Sequence, residues 1–309
     1  MITGSSGFAG RHLAAWCRAS GDDVIAASRS SSAPLDLRDA DATRAAVAAA
    51  APDVVYHLAA AVTSVGVSWD DPLTTVHDNT LLTLNLLEAI RVEAPGARVI
   101  CIGSGEVYGP PAQLPVDERA PLRPQNPYAL SKANSDLAAG FYADAHGLEI
   151  VRTRSFNHAG PGQAPTYAIS SFARQVAVAL EAGESPARVV TGNPGTRRDF
   201  TDVRDVVRAY RLLAAEGVEP GVYNVCSGRT ASAKELLELL GEIAQHEIDH
   251  VVDPALVRAH DVAELRGSNE RLGAATGWAP EIELHQTLAD TVAWWREELA
   301  RVDSPPAPE

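Results

Sequence analysis

Residues 3–14 read TGSSGFAGRHLA. Gly4, Gly7 and Gly10 form a G-x-x-G-x-x-G run that leads into a helical apolar pattern over about 8–20. A glycine turn that opens a helix leaves backbone N–H groups free to bind a pyrophosphate, and a dinucleotide-binding βαβ unit begins this way. The bland alternative is a plain strand-to-helix turn, which seldom needs three glycines. Only Met1, Ile2 and Thr3 precede the turn, so a very short first strand is expected.

Outward from this turn, short apolar runs alternate with helical patterns. Candidate strands are DVIAAS (23–28), DVVYHLA (53–59), ARVICIGS (97–104) and LEIVRTRSF (148–156). Helical patterns lie between them at about 40–50, 72–93 and 128–146. Strands rich in Val and Ile and separated by helices predict an α/β fold, a doubly wound parallel sheet of the Rossmann type. Further helices are expected near 168–182, 203–216, 231–244 and 285–301, with a strand at 221–227, in a more loop-rich second half.

Composition narrows the function classes. The chain has 309 residues, 46% hydrophobic and 21% charged, which is ordinary for a soluble globular protein. Its net charge of −14 and lack of any Lys/Arg run argue against nucleic acid as a partner. No apolar run is long enough to span a membrane. Cys17, Cys101 and Cys226 sit in apolar stretches without a C-x-x-C, which predicts reduced thiols and a cytoplasmic location. The Pro-rich tail, 301–309, is expected to be disordered.

Three further stretches carry chemistry. The second strand ends AASRSSS, with Arg29 and no acid until Asp36. A carboxylate there holds the ribose 2′-hydroxyl of NAD, so its replacement by Arg29 favours NADP(H), with NAD(H) as the alternative. CIGSGEVYG puts Ser104 at the C-terminal end of a strand, where open parallel sheets bind ligands, with Glu106 two residues on. NPYALSK (126–132) offers Asn126 as a helix N-cap and Pro127 at the first helical position. Tyr128 and Lys132 then share one helix face, as a chemical pair or an exposed surface contact. Tyr108 is a rival tyrosine, but the residue four positions on is Ala112.

The set TGSSGFAG, YHLAA, GSGEVYG, YALSK, FNHAGPGQ and RRDFTDVRDV resembles the extended short-chain dehydrogenases/reductases that act on nucleotide sugars. RTRSFNHAGPGQ, with RRDFTDVRDVVRAY and YNVCSG, is most similar to the GDP-4-keto-6-deoxymannose reductases, with GDP-mannose 4,6-dehydratases the close alternative and nucleotide-sugar 4-epimerases another. The resemblance implies a general acid/base at Tyr128, whose pKa Lys132 lowers while also holding the cofactor ribose. Ser104 then orients the carbonyl, and Glu106 is an added acid/base candidate. It implies cofactor contacts at Gly4, Gly7, Phe8, Ala9 and Gly10, at Arg29, Asp36 and Leu37, and at Leu58, Ala59 and Ala60. It implies nucleotide-sugar contacts at Ser64, Asn157, Arg198 and Arg258, a GDP-linked substrate being favoured. Arg154-Ser155-Phe156-Asn157 stands where family members carry Arg-Pro-Phe-Asn.

The expected organisation is a dinucleotide-binding domain of residues 1–154 plus 199–226 and a substrate-binding lobe of 155–198 plus 227–300. Helices 72–93 and 128–146 are expected to pair two copies as a homodimer, as in relatives. Other function classes fit less well. HEIDH (246–250) matches a zinc-protease motif, but EIDHVVDP reads as a strand, where residues four apart stand roughly 13 Å from each other; no metal is expected. Ser104 lacks the flanking glycines of a nucleophile elbow. A non-catalytic NAD(P) sensor has no need of the Tyr128/Lys132 pair. His57 is expected in the core, and His158 either touches substrate or packs its loop.

Overall fold

The structure, a computed structural model, describes residues 1–30, 34–257 and 262–302. Its first half alternates as expected: β1 (Ile2–Thr3), α1 (Phe8–Ala19), β2 (Ala26–Ala27), α2 (Ala40–Ala50), β3 (Val54–His57), α3 (Val65–Ser68), α4 (Pro72–Glu93), β4 (Arg98–Ser104), α5 (Pro127–His146) and β5 (Ile150–Ser155). The chain continues through β6 (Asn157–Ala159), α6 (Ala168–Ala182), β7 (Ala187–Thr191), β8 (Arg197–Asp202), α7 (Val203–Leu213) and β9 (Gly221–Val225). It ends with β10 (Thr230–Ser232), α8 (Ala233–Ala244), β11 (Ile248–Val252), β12 (Glu264–Leu265), α9 (Glu270–Thr276) and α10 (Leu284–Val302).

The main sheet has the order β2-β1-β3-β4-β5-β9, and every pairing in it is parallel. Both its faces are buried, as the apolar strands require. Leu13, Cys17, Val206, Tyr210 and Leu213 of α1 and α7 cover one face, while Val47, Leu86, Ile90 and Ala139 of α2, α4 and α5 cover the other. β2 is shorter than the 23–28 run because its one partner, β1, offers only Ile2 and Thr3 for pairing.

A second cluster of elements forms the smaller lobe. β8 pairs with β6, β10 and β12, and β7 pairs with β11. Helices α6, α8 and α10 close a separate core around Phe172, Val176, Leu240 and Leu288. Residues 199–202, assigned with the following segment to the dinucleotide-binding domain, belong to β8 in this lobe instead. The free edge of β5 is taken by β9, so the chain rejoins the first layer only at α7. Among the described residues, no helix is long and apolar enough to cross a membrane.

The helix ends follow local chemistry. Asn126 caps α5 by accepting from the Ala129 N–H at 2.7 Å, and Gly147 closes it in the left-handed region at φ 67°. Asp71 caps α4 in the same way, with Pro72 at the first helical position.

Candidate active site

The glycine turn fits a dinucleotide. Gly4 has φ 69°, and a Cβ there would lie 2.8 Å from the Ala59 nitrogen. A Cβ on Gly10 would meet the Gly4 carbonyl oxygen at 2.2 Å. The backbone thus forms a tight cradle at the start of α1, whose Gly7 N-cap makes no side-chain bond to the first-turn N–H groups. The segment after β3 closes on this turn. Leu58 and Ala59 donate their N–H groups to the Thr3 carbonyl and hydroxyl, each at 3.3 Å.

Beside the turn, Ser5, Ser6, Arg11, Arg18, Ser28 and Ser30 line an open groove of about 430 Å³ between α1 and the end of β2. Arg29 is exposed at the same strand end. Asp36 is engaged elsewhere: Arg38 grips both its oxygens, Oδ1 at 3.0 Å and Oδ2 at 2.6 Å. That pairing holds the Asp36 carboxyl below its usual range. Arg38 also reaches Asp78 at 3.2 Å, and the Leu37 carbonyl accepts from Asn85 at 2.8 Å, which fixes this segment on α4.

At the ends of β4 and α5 the structure brings Ser104, Glu106, Tyr128 and Lys132 together. The Ser104 hydroxyl caps the turn after β4 by accepting from the Glu106 N–H at 3.2 Å. The Asn126 amide reaches the Glu106 carboxylate at 3.5 Å. Burial raises the Tyr128 pKa above its ordinary value, nearby Tyr167 and Glu106 add to the rise, and the Ser104 hydroxyl offsets part of it. The sequence reading had Lys132 lowering that pKa. In the structure the Lys132 amine donates to the Ile102 carbonyl at 3.0 Å, and burial lowers its own pKa.

Buried hydroxyls and amides support this group. His57 bridges Thr3 at 3.0 Å and Thr83 at 3.1 Å, and its pKa is pushed down to about 3 by burial and the nearby Lys132. Thr83 contacts Ser135 of α5 at 2.9 Å. Asn79 accepts from the Ala61 N–H at 2.7 Å and donates to Ser131 at 3.0 Å, so α4 ties the loop after β3 to α5. Tyr108, the rival tyrosine, is buried and occupied: it donates to Asn224 at 2.7 Å, accepts from Arg154 at 3.1 Å, and its pKa is pushed up to about 12 by burial.

The remaining candidates are scattered around the cleft. Ser64 caps α3 by accepting from the Val67 N–H at 3.3 Å. Asn157 begins β6, opposite Phe200 of β8. Arg198 donates to the Arg197 and Val262 carbonyls at 3.0 and 2.7 Å, while Arg258 lies outside the described residues. His158 bonds the Phe156 carbonyl at 3.2 Å and stacks on Phe8 with centroids 6.0 Å apart. His250 lies on β11 and pairs with Thr191 at 2.7 Å, whereas His246 precedes that strand and pairs with the Glu184 carbonyl at 2.6 Å. Tyr167, Arg11 and His12 were missed, because each acts across long sequence separations that no local motif records.

The family described as GDP-mannose 4,6 dehydratase matches residues 1–291. A GDP-6-deoxy-D-mannose reductase of Pseudomonas aeruginosa is 38% identical over 307 residues, covering 97% of each chain. A dTDP-glucose 4,6-dehydratase of Streptomyces griseus is 33% identical, covering 84% of this chain and 78% of its own. The solved structure of RMD from Pseudomonas aeruginosa complexed with NADPH superposes with a TM-score of 0.86 at 37% identity, covering 96% of this chain and 98% of that one.

Proposed function

Because the chain belongs to the GDP-mannose 4,6-dehydratase family, and is thereby an NAD(P)-dependent oxidoreductase of the extended short-chain dehydrogenase/reductase type, we propose that it reduces the 4-keto group of a nucleotide-linked 4-keto-6-deoxyhexose. GDP-4-keto-6-deoxy-D-mannose is the favoured substrate, giving GDP-D-rhamnose or a stereoisomer. The observation that carries the reading is the Tyr128 phenol set against the Ser104 hydroxyl at the end of β4, since ketone reduction consumes a proton at oxygen.

NADP(H) is the favoured cofactor, held by the glycine turn, the loop 58–60 and the Arg-lined groove; NAD(H) is the alternative. When bound, it supplies the hydride. Ser104 orients the carbonyl oxygen through its hydroxyl, and Tyr128 delivers a proton to that oxygen as negative charge develops. Lys132 holds the cofactor ribose. Asn157, Ser64, Arg198 and Arg258 hold the sugar nucleotide, the two arginines suiting a diphosphate because a guanidinium donates paired bonds.

One observation favours a second reading. Glu106 lies close enough to Tyr128 to influence its proton, and a 4,6-dehydratase needs an additional acid/base group at C5 and C6. Against it, HAGPGQ follows Asn157 in place of the arginine-bearing loop typical of GDP-mannose dehydratases. Incubation with NADPH and GDP-4-keto-6-deoxymannose, and separately with GDP-mannose alone, separates the two. Loss of NADPH absorbance with the keto sugar alone supports reduction. Conversion of GDP-mannose without net cofactor consumption identifies a dehydratase.

Two further points belong to this reading. Leu73, Leu130, Leu137 and Phe141 on α4 and α5 are exposed, an apolar surface suited to a second copy of the chain as a homodimer. Three buried, unpaired cysteines suit a cytoplasmic location.

A further inference from the structure

The mouth of the cleft holds a contact outside every recognised motif. Tyr167 stands at the N-cap of α6, in the smaller lobe. Its phenol reaches the loop between β3 and α3, lying 3.2 Å from the Thr63 carbonyl oxygen and 3.0 Å from the Thr63 hydroxyl. A phenol has one proton for these two neighbours, and a carbonyl only accepts. Tyr167 shares that proton between the carbonyl and hydroxyl oxygens of Thr63. Among the described residues, Thr63 Oγ1 makes no other hydrogen bond.

The segment leading to Tyr167 is anchored at its start as well. Arg11 donates to the Gly162 carbonyl at 3.1 Å, and His12 contacts the Pro161 carbonyl at 2.9 Å. Residues 161–167 thus run from the helix behind the glycine turn to the loop after β3. The Thr63 loop is tied to the helix that carries Tyr128: Asn79 donates to the carbonyl of Val62, the residue before Thr63, and to the Ser131 hydroxyl of α5, each at 3.0 Å. Ser64, a candidate sugar-nucleotide contact, follows Thr63 directly.

We propose that Tyr167 and Thr63 form a sugar-contacting pair that determines which hexose stands against Tyr128. The inference rests on the nucleotide-sugar reading and names the part of the ligand the pair meets. Two hydroxyls with spare lone pairs suit a polyhydroxylated ring, whose groups both donate and accept. Neither side chain is deeply buried, so substrate entry removes water from the pair and strengthens its bonds. Neither residue transfers a proton in this role; the pair selects and positions.

The rival account is a static clasp between the two halves of the molecule, and the test separates the two. Tyr167→Phe and Thr63→Val are compared with the full wild-type chain. The readouts are KM and kcat for GDP-4-keto-6-deoxymannose, the NADPH dissociation constant, and the inhibition constant of free GDP. The expected result is a roughly three- to tenfold rise in sugar-nucleotide KM per hydroxyl lost, the weight of one neutral hydrogen bond. kcat should stay within about twofold, while NADPH affinity and GDP inhibition stay unchanged. An unchanged KM in both variants overturns the proposal. So does a parallel loss of GDP or NADPH affinity, which would mark a clasp or a nucleotide contact. Should the wild type leave the keto sugar unreduced, the reductase reading fails by itself. The pair is then judged by binding of GDP-mannose against GDP, where a selective loss for GDP-mannose is still required.

Discussion

At the scale of single residues, the phenol of Tyr128 is held in its acid form. Burial and its neighbours Tyr167 and Glu106 raise its pKa, so the protonated state extends above the ordinary value near 10. Activity that depends on this proton is present below the raised pKa and is lost only as pH rises through it. Turnover in the reduction direction should therefore hold through pH 9, and a pH–rate profile falling from neutrality would show that another group limits it. Tyr128→Phe should lower turnover by about two to four orders of magnitude while leaving substrate binding in place; near-wild-type kcat would remove Tyr128 from the mechanism. Arg29 carries the cofactor preference. Arg29→Ala should narrow the ratio of NADH to NADPH dissociation constants by roughly tenfold or more, the worth of a charged hydrogen bond to the 2′-phosphate. An unchanged ratio leaves that task to Arg11 and Arg18 in the groove. Much of the site was legible because its members lie in compact local patterns: SGE after a strand, YALSK at a helix start. The direction of the Lys132 side chain was not, because the Ile102 carbonyl it meets lies on another element.

At the scale of elements, helices α1, α2, α4, α5, α6 and α10 fall within a residue or two of their sequence reading. Their caps and apolar stripes are local features that tertiary context leaves intact. The smaller lobe was far less legible. β8 reads Arg-Arg-Asp-Phe-Thr-Asp, with no apolar alternation to announce a strand. It is held instead by distant partners: Arg197 pairs with Glu235 at 2.8 Å, and Asp199 accepts from the Ser227, Gly228 and Gly267 N–H groups. At the start of α5 a single side chain has two roles, since Asn126 both caps the helix and reaches Glu106. Asn126→Ala should cost about 1 kcal/mol of stability in urea unfolding. Asn126→Ser, which keeps a neutral acceptor for the cap, should recover most of it. Equal losses in both variants would show that the cap contributes little.

At the scale of the whole molecule, the exposed Leu137 and Phe141 of α5, each about 60% accessible, are where a second copy is proposed to dock. Leu137→Glu combined with Phe141→Glu should yield a folded monomer in sedimentation experiments, with the wild type a dimer; a monomeric wild type, or a double variant that remains a dimer, would place the contact elsewhere or remove it. The parallel sheet was readable from Val- and Ile-rich runs, and the strand at 221–227 was assigned to the same domain, but its place beside β5 was not legible, because β9 reaches β5 across an interval holding β6, β7, β8, α6 and α7. That detour has a consequence for biosynthesis. A chain emerging from its N-terminus completes β5 at Ser155 and brings out β9 only at Gly221. At roughly 5–20 residues per second, the outer edge of β5 is left without its neighbour for several seconds. A bare strand edge recruits other strands, so this is the interval in which nascent copies can pair with one another. Slower translation through residues 156–225 should therefore lower the share of chain that reaches the finished sheet, whatever the stability of that sheet.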